Sequence, residues 1–344
     1  MLENVEVKRL NNLDVLKAIC AFLVICIHIS YKGKIENIIT PLCRIAVPIF
    51  FMITGYFYHK TSKKPLKQIK KIFLLIVLSN LLYIIINTII NGNMTVPNKE
   101  EIKNSFLYNS SPFSFQLWYL NALLYVLIIA YLSDKLKIRK YLYYFIPFLL
   151  LTNIVYGEYS IVVLNKDFDP IYMRNFLFMG LPFFLLGDLV YKNEDKLKEK
   201  LSTGKLSIMI LIFAATTIVE EYMLDEIKKN AIGDLYISTI FLAVAIFIYA
   251  IKIRQVDIKN KLAIIGRKYS TYIFVIHVMF ITLFNKYIVS NNILNNVIQI
   301  IIFFASLLVA MSYVKIKSLI MIGWKKYNSV SDVVKLITTR EQSE

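Results

Sequence analysis

The chain has 344 residues, 57% of them hydrophobic and 18% charged, with a formal net charge of +17. Soluble domains lie nearer about 45–50% apolar, so this composition excludes an ordinary soluble protein and predicts an integral membrane protein with short loops. The positive charge fits lysines gathered on the cytoplasmic side against anionic lipid, not nucleic-acid binding, because no soluble basic domain carries it.

Ten apolar segments are long enough to cross a hydrocarbon core of about 30 Å: 13–31, 41–59, 69–91, 114–132, 141–157, 174–191, 205–223, 234–251, 269–289 and 293–322. Their runs are continuous rather than alternating, which predicts helices and not a β-barrel. The expected fold is all-α: a polytopic membrane helix bundle of about ten transmembrane helices. It forms a single domain over residues 1–344 with its core at 13–322. The first run has no small-residue cleavage site and another span follows it, so it is expected to stay as a helix.

Orientation follows from Lys and Arg. With the N-terminus inside, the inner segments run from Lys8 and Arg9 through "HKTSKKPLKQIKK", "SDKLKIRK", "YKNEDKLKEKLSTGK" and "KIRQVDIKNKLAIIGRK" to the C-terminal tail. They hold 29 of the 40 basic residues against 9 in the outer loops, which predicts both termini in the cytoplasm. The larger outer loops are 92–113 and 158–173, and the first is polar enough to form an external cap.

The first segment, "LDVLKAICAFLVICIHIS", carries Asp14, Lys17 and His28. At about 100° per residue, His28 returns to within about 20° of Lys17, some 16 Å further along, and Asp14 shares that face. Lys17 lies near the cytoplasmic boundary and His28 roughly two-thirds of the way across. Singly, Lys17 reads as a snorkelling lysine and His28 as a packed, hydrogen-bonded histidine. Together they suit an elongated anionic ligand, with a neutral imidazole at its far end able to act as a general base.

The second segment begins outside with "PLCRIAVPIFFMITGYFYHK". Arg44 lies one turn in, near the depth of His28. It reads either as an interfacial anchor or as a cation facing the bundle, which needs a carboxylate, carbonyl or bound anion. Pro48 and Gly55 are expected to interrupt helical hydrogen bonding beside a cavity. His59, at the inner end, reads as surface.

The fourth segment opens with "QLWYLNALLYVL". Trp118 and Tyr119 fit an aromatic belt, whereas Asn121 needs a polar partner. Asp188, in "GLPFFLLGDLVYK", is expected to pair with a cytoplasmic lysine. Glu220 and Glu221 are expected at the outer mouth. "YSTYIFVIHVMF" puts His277 near mid-membrane, packed or functional. Cys20, Cys26 and Cys43 lack CxxC spacing and read as packed apolar residues, with no metal site.

Four of these blocks, in order, resemble the acyltransferase type 3 family of ten-helix bacterial membrane enzymes. "LDVLKAICAFLVICIH" resembles the family's Leu-Asp-x-Leu-Arg opening, with a basic residue, ten spacers and a histidine. "RIAVPIFFMITGYF" resembles its Arg followed by Val-Pro-x-Phe-Phe and Ser/Thr-Gly. "LWYLNALL" and "YIFVIH" resemble later blocks. The resemblance spans residue 13 to about residue 320. Lys17 stands where the family commonly has Arg, keeping the charge but not the planar fork. The same architecture resembles the membrane half of vancomycin-resistance serine racemases.

The resemblance implies an acyl-CoA donor, most often acetyl-CoA, and O-acylation of a cell-surface or lipid-linked glycan in a bacterial cell membrane. On that basis Lys17 would meet the donor's phosphates, His28 would be the base, and Arg44 would stabilise developing charge or orient the acceptor. Trp118, Asn121 and His277 would bind substrate. The competing class is a transporter of serine or another small polar solute, or a polysaccharide exporter. Transporters more often show inverted repeats and paired broken helices, and no such symmetry is visible.

Overall fold

The computed structural model describes residues 10–61, 65–94, 96–228, 234–287 and 296–341, without the side chains of 34, 59–61, 228, 287 and 323–341. Lys8, Arg9, the side chain of His59, the end of the 269–289 segment and the start of the 293–322 segment therefore lie outside the described residues. The helices are α1 Asn11–His28, α2 Glu36–Cys43, α3 Ala46–Thr61, α4 Pro65–Asn91, α5 Lys99–Leu107, α6 Trp118–Lys135, α7 Arg139–Leu142 and α8 Ile146–Tyr156. They continue as α9 Ser160–Leu164, α10 Leu181–Lys192, α11 Glu194–Lys200, α12 Thr203–Lys228, α13 Ile237–Lys252, α14 Lys261–Lys268, α15 Ser270–Tyr287 and α16 Ile298–Glu341. Among the described residues there is no strand.

Six helical stretches are long and apolar enough to cross a membrane, and eight if each of two bent pairs counts as one span. The bent pairs turn by 75° between Phe176–Lys192 and Glu194–Lys200, and by 77° between Lys261–Lys268 and Ser270–Lys286. The remaining apolar segments become the shorter helix Ile237–Lys252 and the broken run from α7 to α8. The chain is thus a multi-pass membrane helix bundle. α4 and α12 bury only 11% of their apolar windows and form its flanks. α1, α3, α6, α10, α13 and α15 supply most of the buried core.

Glycines set the closest approaches. A Cβ on Gly55 would lie 1.9 Å from the Phe184 carbonyl oxygen, and one on Gly187 would lie 2.0 Å from that of Met52. These two glycines let α3 and α10 touch backbone to backbone, as small residues do between membrane helices. Gly55 therefore does not break α3, which runs unbroken past it. Pro48 costs no helical bond either: it sits in the first turn of α3, where N–H groups have no intrahelical acceptor. The interruption expected in this segment falls instead at Arg44, between α2 and α3.

Two polar ties complete the sequence reading. Asp188 is fully buried. It pairs with Arg139 at 3.1 Å and accepts a bond from the Tyr143 hydroxyl at 2.7 Å. Arg139 also reaches Asp134 at 3.1 Å, so a buried guanidinium finds two carboxylates that a mobile lysine would leave bare. Glu220 accepts the Ile237 and Ser238 N–H groups at 2.7 and 2.9 Å. It caps the start of α13, where a carboxylate meets the positive end of the helix dipole. Glu221 accepts from the Tyr236 hydroxyl. Cys20, Cys26 and Cys43 are buried and form no disulfide.

Candidate functional site

The polar face of α1 opens onto two cavities, one at each end. The first, of about 540 Å³, is lined by Lys17, Lys67, Lys71 and Arg267 together with apolar groups including Phe50, Phe57 and Leu123. Asp14 orders it: Lys17 Nζ lies 3.2 Å from one carboxylate oxygen and Arg267 Nε lies 3.1 Å from the other. Arg267 gets there because Gly266 packs against the backbone of Asp14, where a Cβ would come within 1.7 Å of its carbonyl oxygen. Four cations line this cavity, two of them held by the buried Asp14 carboxylate, a lining suited to an anion such as a phosphate.

The second cavity, of about 270 Å³, holds His28, Arg44, Trp118, Arg174 and Asp234. Arg44 is 5% exposed. It donates to Asp234 at 3.2 Å, while Arg174 meets the other carboxylate oxygen through two nitrogens at 2.8 and 2.6 Å. Arg44 thus faces the bundle and finds a carboxylate, one of the outcomes its position predicted. Two guanidiniums share the Asp234 carboxylate on this wall beside His28, and the buried Glu158 accepts the Asp234 N–H. The His28 ring forms no hydrogen bond among the described residues; its neighbours are rings. Its nitrogens are therefore available to a ligand in the chamber.

Tyr119 and Phe274 line both cavities. Both are nearly buried, and their ring centroids lie 5.0 Å apart. Phe50 closes on both, at 6.0 Å from Tyr119 and 6.4 Å from Phe274. An aromatic wall thus divides the basic cavity from the histidine chamber.

His277 is fully buried and stacks on His28, with centroids 5.4 Å apart and planes 15° from parallel. Its Nδ1 lies 2.7 Å from the Phe274 carbonyl oxygen. Only an N–H can satisfy a carbonyl, so this nitrogen carries the proton. Nε2 is buried and has no hydrogen-bond partner among the described residues.

The sequence-predicted residues divide cleanly. Lys17 lies on the basic cavity; His28, Arg44 and Trp118 lie on the chamber; His277 lies behind it. Asn121 lines neither cavity: its amide donates to the Asn109 and Ser110 carbonyls at 3.2 and 3.1 Å, tying α6 to the segment that precedes it. Arg174, Asp234 and Phe274 were not singled out from sequence. A signal did exist: a buried Arg44 requires a carboxylate, and Asp234 borders the apolar run 234–251.

The family model described as an acyltransferase domain matches residues 10–315 of this chain. No curated protein and no solved structure gives a match. The matched range takes in both cavities and every element that lines them, and the chain belongs to the acyltransferase type 3 family.

Proposed function

We propose that this membrane acyltransferase moves an acyl group, most simply acetyl, from cytoplasmic acyl-CoA to a hydroxyl of an extracytoplasmic or lipid-linked glycan. The supporting observation is that the Lys17 cavity and the His28 chamber meet at one wall, Tyr119 and Phe274. In this reading, Lys17, Lys67, Lys71 and Arg267 hold the donor's phosphates. The pantetheine arm runs along α1, past the aromatic wall, and delivers the thioester to His28. The roughly 16 Å rise between Lys17 and His28 is a span that an extended arm covers.

His28 takes the proton as the acceptor oxygen attacks the thioester carbonyl carbon. Arg44, with Arg174 beside it, stabilises the oxygen that becomes negative. The intermediate collapses as the carbon–sulfur bond breaks. The thiolate regains the proton from His28, leaving an ester and free CoA thiol. The fixed charge of Arg44 and the neutral imidazole divide the work between charge stabilisation and proton transfer.

The same reading takes the ten apolar segments as ten crossings, with both termini on the cytoplasmic side of a bacterial cell membrane. The asymmetry of the basic residues and the helix formed in each segment support it.

The experiment is reconstitution in vesicles with labelled acetyl-CoA on one side and acceptor glycan on the other. Label should appear on the acceptor, only when acetyl-CoA faces the Lys17 side. Transfer at an unchanged rate in His28→Ala would remove the assigned base. Label carried across as an intact small solute would replace the acyltransferase reading with transport.

A further inference from the structure

A third cavity, of about 470 Å³, lies at the same end of the bundle as the His28 chamber. It is built from the outer end of α4, the cap helix α5, the segment leading into α6, and α15. Its wall is polar: Tyr83, Asn87, Glu101, Asn104, Ser110 and Thr282 contribute. Phe115 lines both this cleft and the His28 chamber. Its ring meets the His28 ring edge-on at 4.7 Å between centroids. A ligand in the cleft therefore lies one phenyl ring from His28.

The hydrogen-bond inventory of the wall selects the ligand. Tyr83 spends its hydroxyl on the Val275 carbonyl at 2.7 Å, and Thr282 spends its own on Val278 at 2.9 Å. The Asn87 amide donates to the Phe113 carbonyl at 2.8 Å. What the wall leaves over is acceptor capacity in the Asn87 amide oxygen and the Glu101 carboxylate, and both donors and acceptors in the Asn104 amide and the Ser110 hydroxyl. Glu101 takes one backbone N–H, that of Asn98, at 2.8 Å, which fixes it at the start of α5. A wall of mixed donors and acceptors that carries a carboxylate suits a ligand whose hydroxyls both donate and accept and which has no negative charge.

We propose that this cleft is a binding site for an uncharged polyol, a neutral sugar unit of the acceptor glycan, which presents one hydroxyl past Phe115 to His28. Naming the occupant as the acceptor rests on the acyl-transfer reading above; the cleft's preference for neutral sugar does not.

The test is thermal unfolding of the full chain in nanodiscs, with chitotetraose as the neutral probe and tetragalacturonate as the acidic one. No donor is present. Chitotetraose should raise the melting temperature by mass action, and tetragalacturonate should not. Asn104→Leu and Glu101→Gln should each weaken the chitotetraose effect at least tenfold in the concentration required. His28→Ala should keep it. Asn104 makes no side-chain hydrogen bond among the described residues, so its replacement leaves the fold's own network intact. Equal or stronger stabilisation by the acidic probe, no stabilisation by either, or an undiminished effect in both cleft variants overturns the proposal. Sugar binding that follows the prediction in a protein that transfers no acyl group would instead strike the acyl-transfer reading alone.

Discussion

His28 and His277 stack ring on ring, 5.4 Å between centroids and 15° from parallel, and so join α1 to α15 at the wall of the chamber. The contact gives His277 a role apart from binding substrate: it fixes the plane of the imidazole that faces the chamber. His277 is itself fixed, through Nδ1, by the Phe274 carbonyl. Backbone, buried histidine and chamber histidine form one chain of positioning.

That chain predicts a graded effect. His277→Phe keeps a flat ring under His28, while His277→Ala leaves a void. Acyl transfer should fall by about tenfold or more in the alanine variant and much less in the phenylalanine one, with donor KM little changed, whereas His28→Ala should lose about a hundredfold or more. Initial rates at saturating donor measure it. Equal losses in His277→Ala and His277→Phe would mean that the buried nitrogen, not the stack, matters.

Lys17 makes a separate prediction, on binding rather than chemistry. It lies 3.2 Å from Asp14 and on the basic cavity. Lys17→Ala should weaken CoA binding by about tenfold, the worth of one charge-assisted hydrogen bond, and leave binding of pantetheine, which has no phosphate, unchanged. Lys17→Arg should bind CoA at least as well as the parent, since a guanidinium grips phosphate with two parallel donors. Equilibrium dialysis with the two ligands decides; equal loss for CoA and pantetheine would make Lys17 a structural partner of Asp14 alone.

How much of this site was legible in the chain divides by the range of the interaction. The face shared by Lys17 and His28 is local helix geometry, and eleven residues at 3.6 per turn suffice to read it. Arg44 announced its need for a partner because a buried cation has few options. Which carboxylate answers is a long-range matter: Asp234 lies 190 residues away in sequence. The aromatic wall is harder still, since Tyr119 and Phe274 sit among 23 tyrosines and 23 phenylalanines, and only packing singles them out. The same limit hid the Arg139 partner of Asp188. The nearest cations in sequence are lysines, yet tertiary packing brings in Arg139 from 49 residues away. The membrane spans were legible as apolar runs, but their bends were not. The 77° turn before α15 follows from α14 folding against α1, with Gly266 on Asp14.

The Asp188–Arg139 pair predicts a stability effect away from the chemistry. Asp188 is fully buried and Arg139 only 6% exposed in its side chain. The guanidinium also lies 4.7 Å over the Tyr58 ring. Asp188→Asn keeps the shape and removes the charge, leaving a buried cation with only the half-exposed Asp134 as counter-ion. Breaking such a pair costs about 3–5 kcal/mol, so the variant should melt well below the parent in detergent. A matched melting temperature would show that Asp134 alone compensates Arg139.

Phe274 offers the sharpest test of the path between the two cavities. In the proposed reaction a thioester that starts beside Lys17 and reacts beside His28 has to pass the Tyr119–Phe274 contact, so the wall is predicted to part for the arm and close around it. The same wall is predicted to keep water on the basic side from the chamber and so to protect the acyl group of the proposed reaction from hydrolysis. Phe274→Ala removes the ring that contacts both Tyr119 and Phe50. Transfer to acceptor should then fall, while hydrolysis of acetyl-CoA without acceptor should rise several-fold, and longer donors such as butyryl-CoA should gain relative to acetyl-CoA. Phe274→Leu, which fills most of the space, should lie between. Tyr119→Phe keeps the ring and should change hydrolysis little. If Phe274→Ala lowers transfer without raising hydrolysis or relaxing donor size, the wall is packing and the donor takes another route to His28.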